Sequence, residues 1–341
     1  MKIKTIKRHI IVSTLLIVLI PLVILGTFSC ISTQYTTLKL ATENMVSTAE
    51  LAGQRVQWEL ESFIVSTEEV GCNAELANEN TSDKRRQEII DMKVLQYGMD
   101  RGCVINKDGL GSNGIDYSDR EYFKNAMNGK TTVTEPMFAK STGKMAVIVA
   151  APLWDNGVAG KKAVGCVYFV PHEEFLNDIV RDLKVSENST AYVLGRSGVI
   201  IADPDSEAVI NQQSYITMAE EDSGYGQLAE VNRKMIAGED GSGTIKINGK
   251  STLIGYAPIE GTDGWSIAVS APSMDYIDSS VTFIFITIAI ALICAIICSV
   301  NSAKTGMRIG GPVAQCTERL RLLSEGDLSS PVPQINTNDE T

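Results

Sequence analysis

Two stretches of this sequence carry no charge. Ile10 to Ile31 is 22 residues long, and Val281 to Val300 is 20. As helices rising about 1.5 Å per residue they extend about 30 Å, the thickness of a bilayer's hydrocarbon core. The spacing predicts transmembrane helices over 10–31 and 281–300. Lipid supplies no partner for backbone polar groups, so a helix that satisfies its own is the natural solution. Pro21 is read as a tolerated kink. The first apolar core exceeds the roughly 7–15 residues of a cleaved signal peptide and is followed by no clear A-x-A site, so it reads as an anchor.

Positive charge in short flanks sets orientation. Lys2, Lys4, Lys7 and Arg8 precede the first stretch, and Lys304, Arg308, Arg319 and Arg321 follow the second. Residues 1–9 and 301–341 are therefore expected in the cytoplasm, and 32–280 outside. Setting aside the basic residues of both ends and five acids after the second stretch, the middle holds 22 Lys+Arg and 36 Asp+Glu, a net charge of -14. With -11 for the whole chain, the basic footprint of a nucleic-acid binder is missing. The expected location is the cell membrane, with two spans and the bulk of the chain extracytoplasmic.

Catalytic signatures are also missing. There are two histidines, His9 and His172, and no His/Cys spacing typical of a metal site. No G-x-x-x-x-G-K-[ST] loop occurs, and Gly195-Arg196-Ser197-Gly198 is not a nucleophile elbow. Neither catalytic nor metal-binding residues are assigned, and no cofactor is expected. Three of the seven cysteines, Cys72, Cys103 and Cys166, fall in the exterior part. An odd number gives no disulfide framework, and buried thiols acting as small hydrophobes is the simpler reading.

From Thr33 to Glu69 there is no proline and one glycine. Leu38, Ala41, Met45, Ala49, Ala52, Val56, Leu60 and Phe63 recur at steps of three and four, one stripe of a long amphipathic helix. Gly71 is a plausible stop, giving a helix over 33–71. The stripe serves packing on its own domain, a partner helix, or both.

Beyond it, short apolar runs alternate with turns, and their order repeats. Cys103–Gly109 resembles Tyr192–Gly198, 89 positions on. Asn128-Gly129 matches Ala237-Gly238. Thr142-Gly143-Lys144 followed by a strand ending Ala151-Pro152 matches Asn248-Gly249-Lys250 followed by a strand ending Ala257-Pro258. Each copy closes with one more strand, Gly165–Pro171 and Trp265–Pro272. Repeated order implies two similar α+β units in series, a membrane-distal one over 72–180 and a membrane-proximal one over 181–278.

Asp116-Tyr117-Ser118-Asp119-Arg120-Glu121-Tyr122-Phe123 packs acids, an arginine and three aromatics into eight residues. Arg120 offers a planar fork suited to a carboxylate, and Tyr122 and Phe123 could wall a small-molecule pocket. An arginine paired with Asp116 or Asp119 and packed on tyrosine explains the same composition. Trp265 and Tyr256 read as core residues, and Asp203-Pro204-Asp205 as a turn.

This order of elements, with the Asp116–Phe123 segment and Gly255-Tyr256-Ala257-Pro258…Gly264-Trp265-Ser266-Ile267, resembles the double Cache domain, a tandem of PAS-like units found outside many bacterial receptors. The resemblance covers Thr33 to about Asp278 and implies an α+β fold. It also implies that Arg120, Tyr122 and Phe123 grip a ligand carboxylate in the distal unit, with Asp116, Tyr117, Met137 and Phe138 nearby. Amino-acid-binding members carry Trp then Tyr where this chain has Tyr122 then Phe123. They have a tyrosine after Glu-Pro, where Met137 and Phe138 follow Glu135-Pro136. Their amine-binding aspartate falls near Val167 to Phe169, where this chain has no acid. A buried ammonium without an anion is costly, so a small carboxylate lacking the amine is expected.

After the second span, Val313, Cys316, Leu320 and Leu323 form a short coiled-coil seam ended by Gly326. With Pro312, Glu318 and Glu325-Gly326-Asp327-Leu328, this looks like the first helix of a HAMP linker. Ser329 to Asn338 would be the connector, and Asp339-Glu340 the start of the second helix. The resemblance implies a fragment of a longer transducer, a receptor of the methyl-accepting chemotaxis kind working as a homodimer. It would pass a small helix shift from a ligand to a chemotaxis kinase complex through a missing C-terminal region. A sensor histidine kinase or diguanylate cyclase sharing this input half is the alternative.

Overall fold

The computed structural model describes residues 3–172, 175–326 and 331. Chain contacts divide it into two compact units, 1–37 with 276–341, and 38–275. In chain order the elements are α1 (Ile3–Gly71), α2 (Ala74–Ala77), α3 (Asp83–Tyr97), β1 (Arg101–Asn106), α4 (Glu121–Met127), β2 (Thr132–Val133), β3 (Met137–Phe138), β4 (Met145–Ala146), β5 (Val149–Trp154) and β6 (Ala163–Val170). There follow α5 (Phe175–Asp182), β7 (Thr190–Leu194), β8 (Ile200–Ala202), α6 (Ser206–Ile210), α7 (Tyr215–Glu221), α8 (Gly226–Ile236), β9 (Gly241–Ile247), β10 (Lys250–Pro258), β11 (Ser266–Pro272) and α9 (Met274–Ser324).

Both α1 and α9 are long and apolar enough to cross a membrane. Pro21 and Pro312 each lie inside a continuous helix. Pro312 therefore does not open a new helix, and the stretch expected to begin a linker continues the second span. Within the first unit the two helices approach closely: a Cβ added at Gly26 would lie 2.8 Å from Thr287 Cγ2. Small residues at such a crossing let helix backbones meet where no hydrophobic effect drives them together. Val313, Cys316, Leu320 and Leu323 are exposed. The connector and acidic pair expected over 329–340 lie outside the described residues, apart from Pro331.

The second unit contains the sequence repeat as two antiparallel sheets, ordered β1-β6-β5-β2 and β8-β7-β11-β10-β9. β1, β6, β5 and β2 occupy the places of β7, β11, β10 and β9. Isolated bridges Ile105–Gly111 and Leu110–Asp116 stand where the second sheet has β8. The repeated glycines have positive φ in both copies: Gly109 and Gly198, Gly129 and Gly238, Gly143 and Gly249. Asn248 (φ 48°) and Gly249 (φ 79°) are both left-handed, as a two-residue hairpin loop joining Ile247 to its partner Lys250 requires.

Each sheet is covered on both faces, because alternate residues of its strands point to opposite sides. Val104, Val167 and Phe169 pack with Val70, Ile89 and Ile90, while Cys103, Ile105, Cys166 and Tyr168 pack with Tyr122, Phe123 and the β3–β4 hairpin. In the second lobe, Val193, Ile267 and Val269 meet α1 and α5. Tyr192, Ile254 and Ala268 meet α6 and α8.

The α1 stripe is thereby accounted for. Ala41, Met45, Ala49, Ala52, Val56 and Leu60 are buried, and Ala49 to Leu60 join the second lobe's core. The contact is close at Gly255, where a Cβ would lie 2.5 Å from Val46 N. Ala41 and Met45 thus face their own chain and are unsuited to a seam between two copies. Trp265 and Tyr256 are core residues, and Asp205 caps α6 through the Glu207 N–H. Cys72, Cys103 and Cys166 are free thiols, Cys103 and Cys166 buried and Cys72 partly so.

Candidate functional site

Arg120 is the N-cap position of α4, so the residues after it are helical and those before it form a turn. The Asp116 carboxylate accepts the Ser118 N–H at 2.8 Å. This is the common turn chemistry of aspartate, and the hydrogen bond holds its acid below the usual range. The helix then buries Tyr122 and Phe123 on the sheet.

They meet Tyr117 and Tyr168 there. The Tyr117 and Tyr168 rings pack edge to face at 5.5 Å, Tyr122 packs on Tyr168 at 5.9 Å, and the Tyr117 and Tyr168 hydroxyls share a 2.9 Å hydrogen bond. Asn113 Nδ2 donates to the Tyr117 hydroxyl at 2.8 Å. Cys103 Sγ lies 3.4 Å from Ser112 Oγ, which donates to Gln87 Oε1 at 2.8 Å. Burial pushes up the Tyr122 and Tyr168 hydroxyls and the Cys103 and Cys166 thiols. Each of these groups is neutral at physiological pH.

Arg120 is the cation beside this neutral cluster. It is half-buried, and its Nη2 donates to the Phe138 carbonyl at 3.1 Å. It does not form an ion pair with Asp116 or Asp119. Asp119 pairs with Lys140, and that bond keeps its carboxyl below the usual range. Lys140 also donates to the Asp116 carbonyl at 2.8 Å. Arg120 and Lys140 thus fasten the β3–β4 hairpin to the 116–120 turn. Met137 packs against the aromatic cluster from this hairpin.

Of the residues singled out in sequence, Tyr117, Tyr122, Phe123 and Met137 converge on one buried cluster, with Arg120 beside it. The side chains of Asp116 and Phe138 are exposed and lie outside it. Tyr168 was not among the expected residues, although its alternation with Cys166 on β6 places both on the Tyr122 face. Cys103 opposes Tyr168 in the strand register. Among the described residues no His/Cys/Asp/Glu group is arranged to hold a metal.

The Cache domain family matches residues 34–280. The chain is similar to the methyl-accepting chemotaxis protein McpB of Bacillus subtilis, at 24% identity over 274 residues, 75% of this chain and 38% of that protein. It spans about a third of the length of the curated relatives it matches. Its fold is similar to the ligand-binding domain of the Pseudomonas fluorescens chemoreceptor CtaA, solved with L-isoleucine (TM-score 0.57, 17% identity, 72% of this chain and 98% of that one). It also resembles that of Campylobacter jejuni chemoreceptor Tlp3, solved with 4-methylisoleucine (TM-score 0.54, 11% identity, 70% and 94%). With a match running from the middle of α1 to the start of α9 and taking in both sheets, this chain belongs to the Cache domain family.

Proposed function

We propose that this chain is the input half of a two-span chemotaxis transducer whose distal lobe binds a small carboxylate lacking an amine. The carrying observation is the pairing of one cation, Arg120, with a cluster whose polar groups are all neutral. A carboxylate would replace the Phe138 carbonyl as acceptor for the guanidinium, gaining a charge-assisted bond. Tyr117, Tyr122, Phe123 and Met137 would enclose its apolar part, and Asp116 and Phe138 would sit at the rim. An α-amino acid would bring an ammonium with no anion to meet it, although CtaA and Tlp3 were solved with such ligands.

Both termini would be cytoplasmic and residues 32–280 outside, following the basic flanks. A homodimer would bury the exposed Val313, Cys316, Leu320 and Leu323 seam. A ligand that favours one arrangement of the pair would shift α9 and, through a HAMP linker, a chemotaxis kinase complex bound further along. The sequence relatives support this output over a histidine kinase or cyclase.

The test is calorimetry on the full chain in detergent with acetate, propionate, pyruvate, lactate and 3-methylbutyrate, each against the amino acid of matching skeleton. A carboxylate should bind, and Arg120→Ala should abolish it. Equal affinity in wild type and variant, or preference for the amino acid, refutes the assignment.

A further inference from the structure

Asn232 on α8 is fully buried against the second sheet. Its Oδ1 accepts the Tyr192 hydroxyl at 2.7 Å, while its Nδ2 is buried with no hydrogen-bond partner. A buried donor left without an acceptor carries a desolvation penalty, which an oxygen atom brought to it would remove. Tyr192 links this amide to a second unsatisfied group. The ladder that pairs Val193 with Ala202 continues to Tyr192 and Asp203, which sets the Asp203 carboxylate beside the tyrosine. Tyr215 packs edge to face on Tyr192 at 5.5 Å, and Tyr225 stacks on Tyr215 at 5.8 Å. Asp203, Tyr215 and Tyr225 are half-buried, so the cluster meets solvent on their side and ends inside at Asn232.

The chemistry of these groups selects an occupant. Asp203 accepts the Asp205 N–H at 2.8 Å but pairs with no lysine or arginine among the described residues. Burial raises its acid above the ordinary range with no cation to oppose the shift. Burial and the Asp203 charge together push the Tyr215 hydroxyl up to about 12. A partly desolvated carboxylate without a counter-ion, next to three tyrosine rings, favours an organic cation. A cation alone offers Asn232 Nδ2 no acceptor. A carboxylate on the same molecule would be another anion beside Asp203 and Asp205, with no positive group to meet it. A hydroxyl oxygen answers the amide without adding charge. We infer that this face of the second lobe binds a small amino alcohol in its cationic form. Its ammonium would lie at Asp203 and the tyrosine rings, and its hydroxyl would accept from Asn232. The site shares no residue with the Arg120 cluster of the first lobe.

The full chain in detergent is titrated by calorimetry at neutral pH with ethanolamine, 3-amino-1-propanol and choline. Ethylamine, which lacks the oxygen, and L-serine, which adds a carboxylate to ethanolamine, are the controls. At least one amino alcohol should saturate, and ethylamine should bind roughly tenfold more weakly than ethanolamine. Asp203→Asn, which keeps an acceptor for the Asp205 N–H, should abolish binding. Tyr215→Leu should weaken it roughly tenfold. Arg120→Ala should bind as wild type does, so this site and the carboxylate site fail separately. Thermal midpoints establish that each variant is folded, and Asp203→Asn alone decides if Tyr215→Leu is not. Saturation by none of the three, ethylamine binding as tightly as ethanolamine, or unchanged affinity in Asp203→Asn overturns the inference. So does L-serine binding in place of the amino alcohols and lost in Asp203→Asn. Loss of the amino alcohol in Arg120→Ala overturns it too, by moving the ligand to the first lobe.

Discussion

The Glu135 carboxylate of the first lobe accepts the backbone N–H of Arg196 in the second at 2.7 Å. It crowds Gly195 so closely that a Cβ there would collide with it. Its other oxygen lies 3.4 Å from Ser197 Oγ. Glu135 is two residues before Met137, so a change at the hairpin reaches the second lobe through a short length of chain. Glu135→Ala should lower stability by about 1 kcal/mol, the usual loss for one hydrogen bond at a partly solvated site, read as a fall in the thermal midpoint of the full chain. An unchanged midpoint would mean that the lobes are held together elsewhere.

Asp203 gives a pH dependence. Burial raises its pKa above the ordinary value of 3.8, so folding favours the protonated acid. The stability this contributes is complete below the unfolded pKa and is lost as pH rises through the folded one. Asp203→Asn cannot ionise and can still accept the Asp205 N–H bonded at 2.8 Å. Its thermal midpoint should exceed wild type at pH 7, and the gain should vanish as pH falls towards 4. A gain that grows on acidification contradicts this.

The outer face of α1 makes a prediction about assembly. Leu51, Trp58 and Val65 are 64%, 67% and 64% exposed and seven residues apart, the repeat of a coiled-coil seam. In a background with Cys30, Cys72, Cys294, Cys298 and Cys316 changed to serine, oxidation of membranes should give disulfide-linked dimers with Leu51→Cys and Val65→Cys. Met45→Cys, on the buried face, should give none. Crosslinking at Met45 with none at 51 or 65 would reverse the faces.

Gly255 tests the packing of α1 on the second sheet. Gly255→Val would force a branched side chain against the Val46 backbone, and overpacking of this kind costs about 1–3 kcal/mol. The thermal midpoint should fall, whereas a neutral result would mean that the helix stands further off.

The parts of this fold that were legible in sequence are those set by local chemistry. Glycines at positive φ marked the same turns in both lobes, and the three- and four-residue steps from Ala41 to Leu60 marked the face of α1 that is buried. The candidate site was legible where it is contiguous, from Tyr117 to Phe123, and Met137 came only from the family resemblance. Tyr168 joins it from 51 residues beyond Tyr117, and Glu135 meets Arg196 across 61. No periodicity links such pairs. Composition also paired Arg120 with a neighbouring acid, but the hairpin brings Lys140 to Asp119 from 21 residues away. Lys140 takes that role, leaving Arg120 to the Phe138 carbonyl.

In the proposed orientation the two lobes face the outside while the end of α9 lies within. Labelling intact cells with a membrane-impermeant maleimide tests it, using the exposed Cys316 and a Val158→Cys substitution at an exposed position of the first lobe, again with Cys72→Ser. Position 158 should be labelled in intact cells and Cys316 only after permeabilisation. Labelling of Cys316 in intact cells, with 158 protected until they are opened, would contradict it.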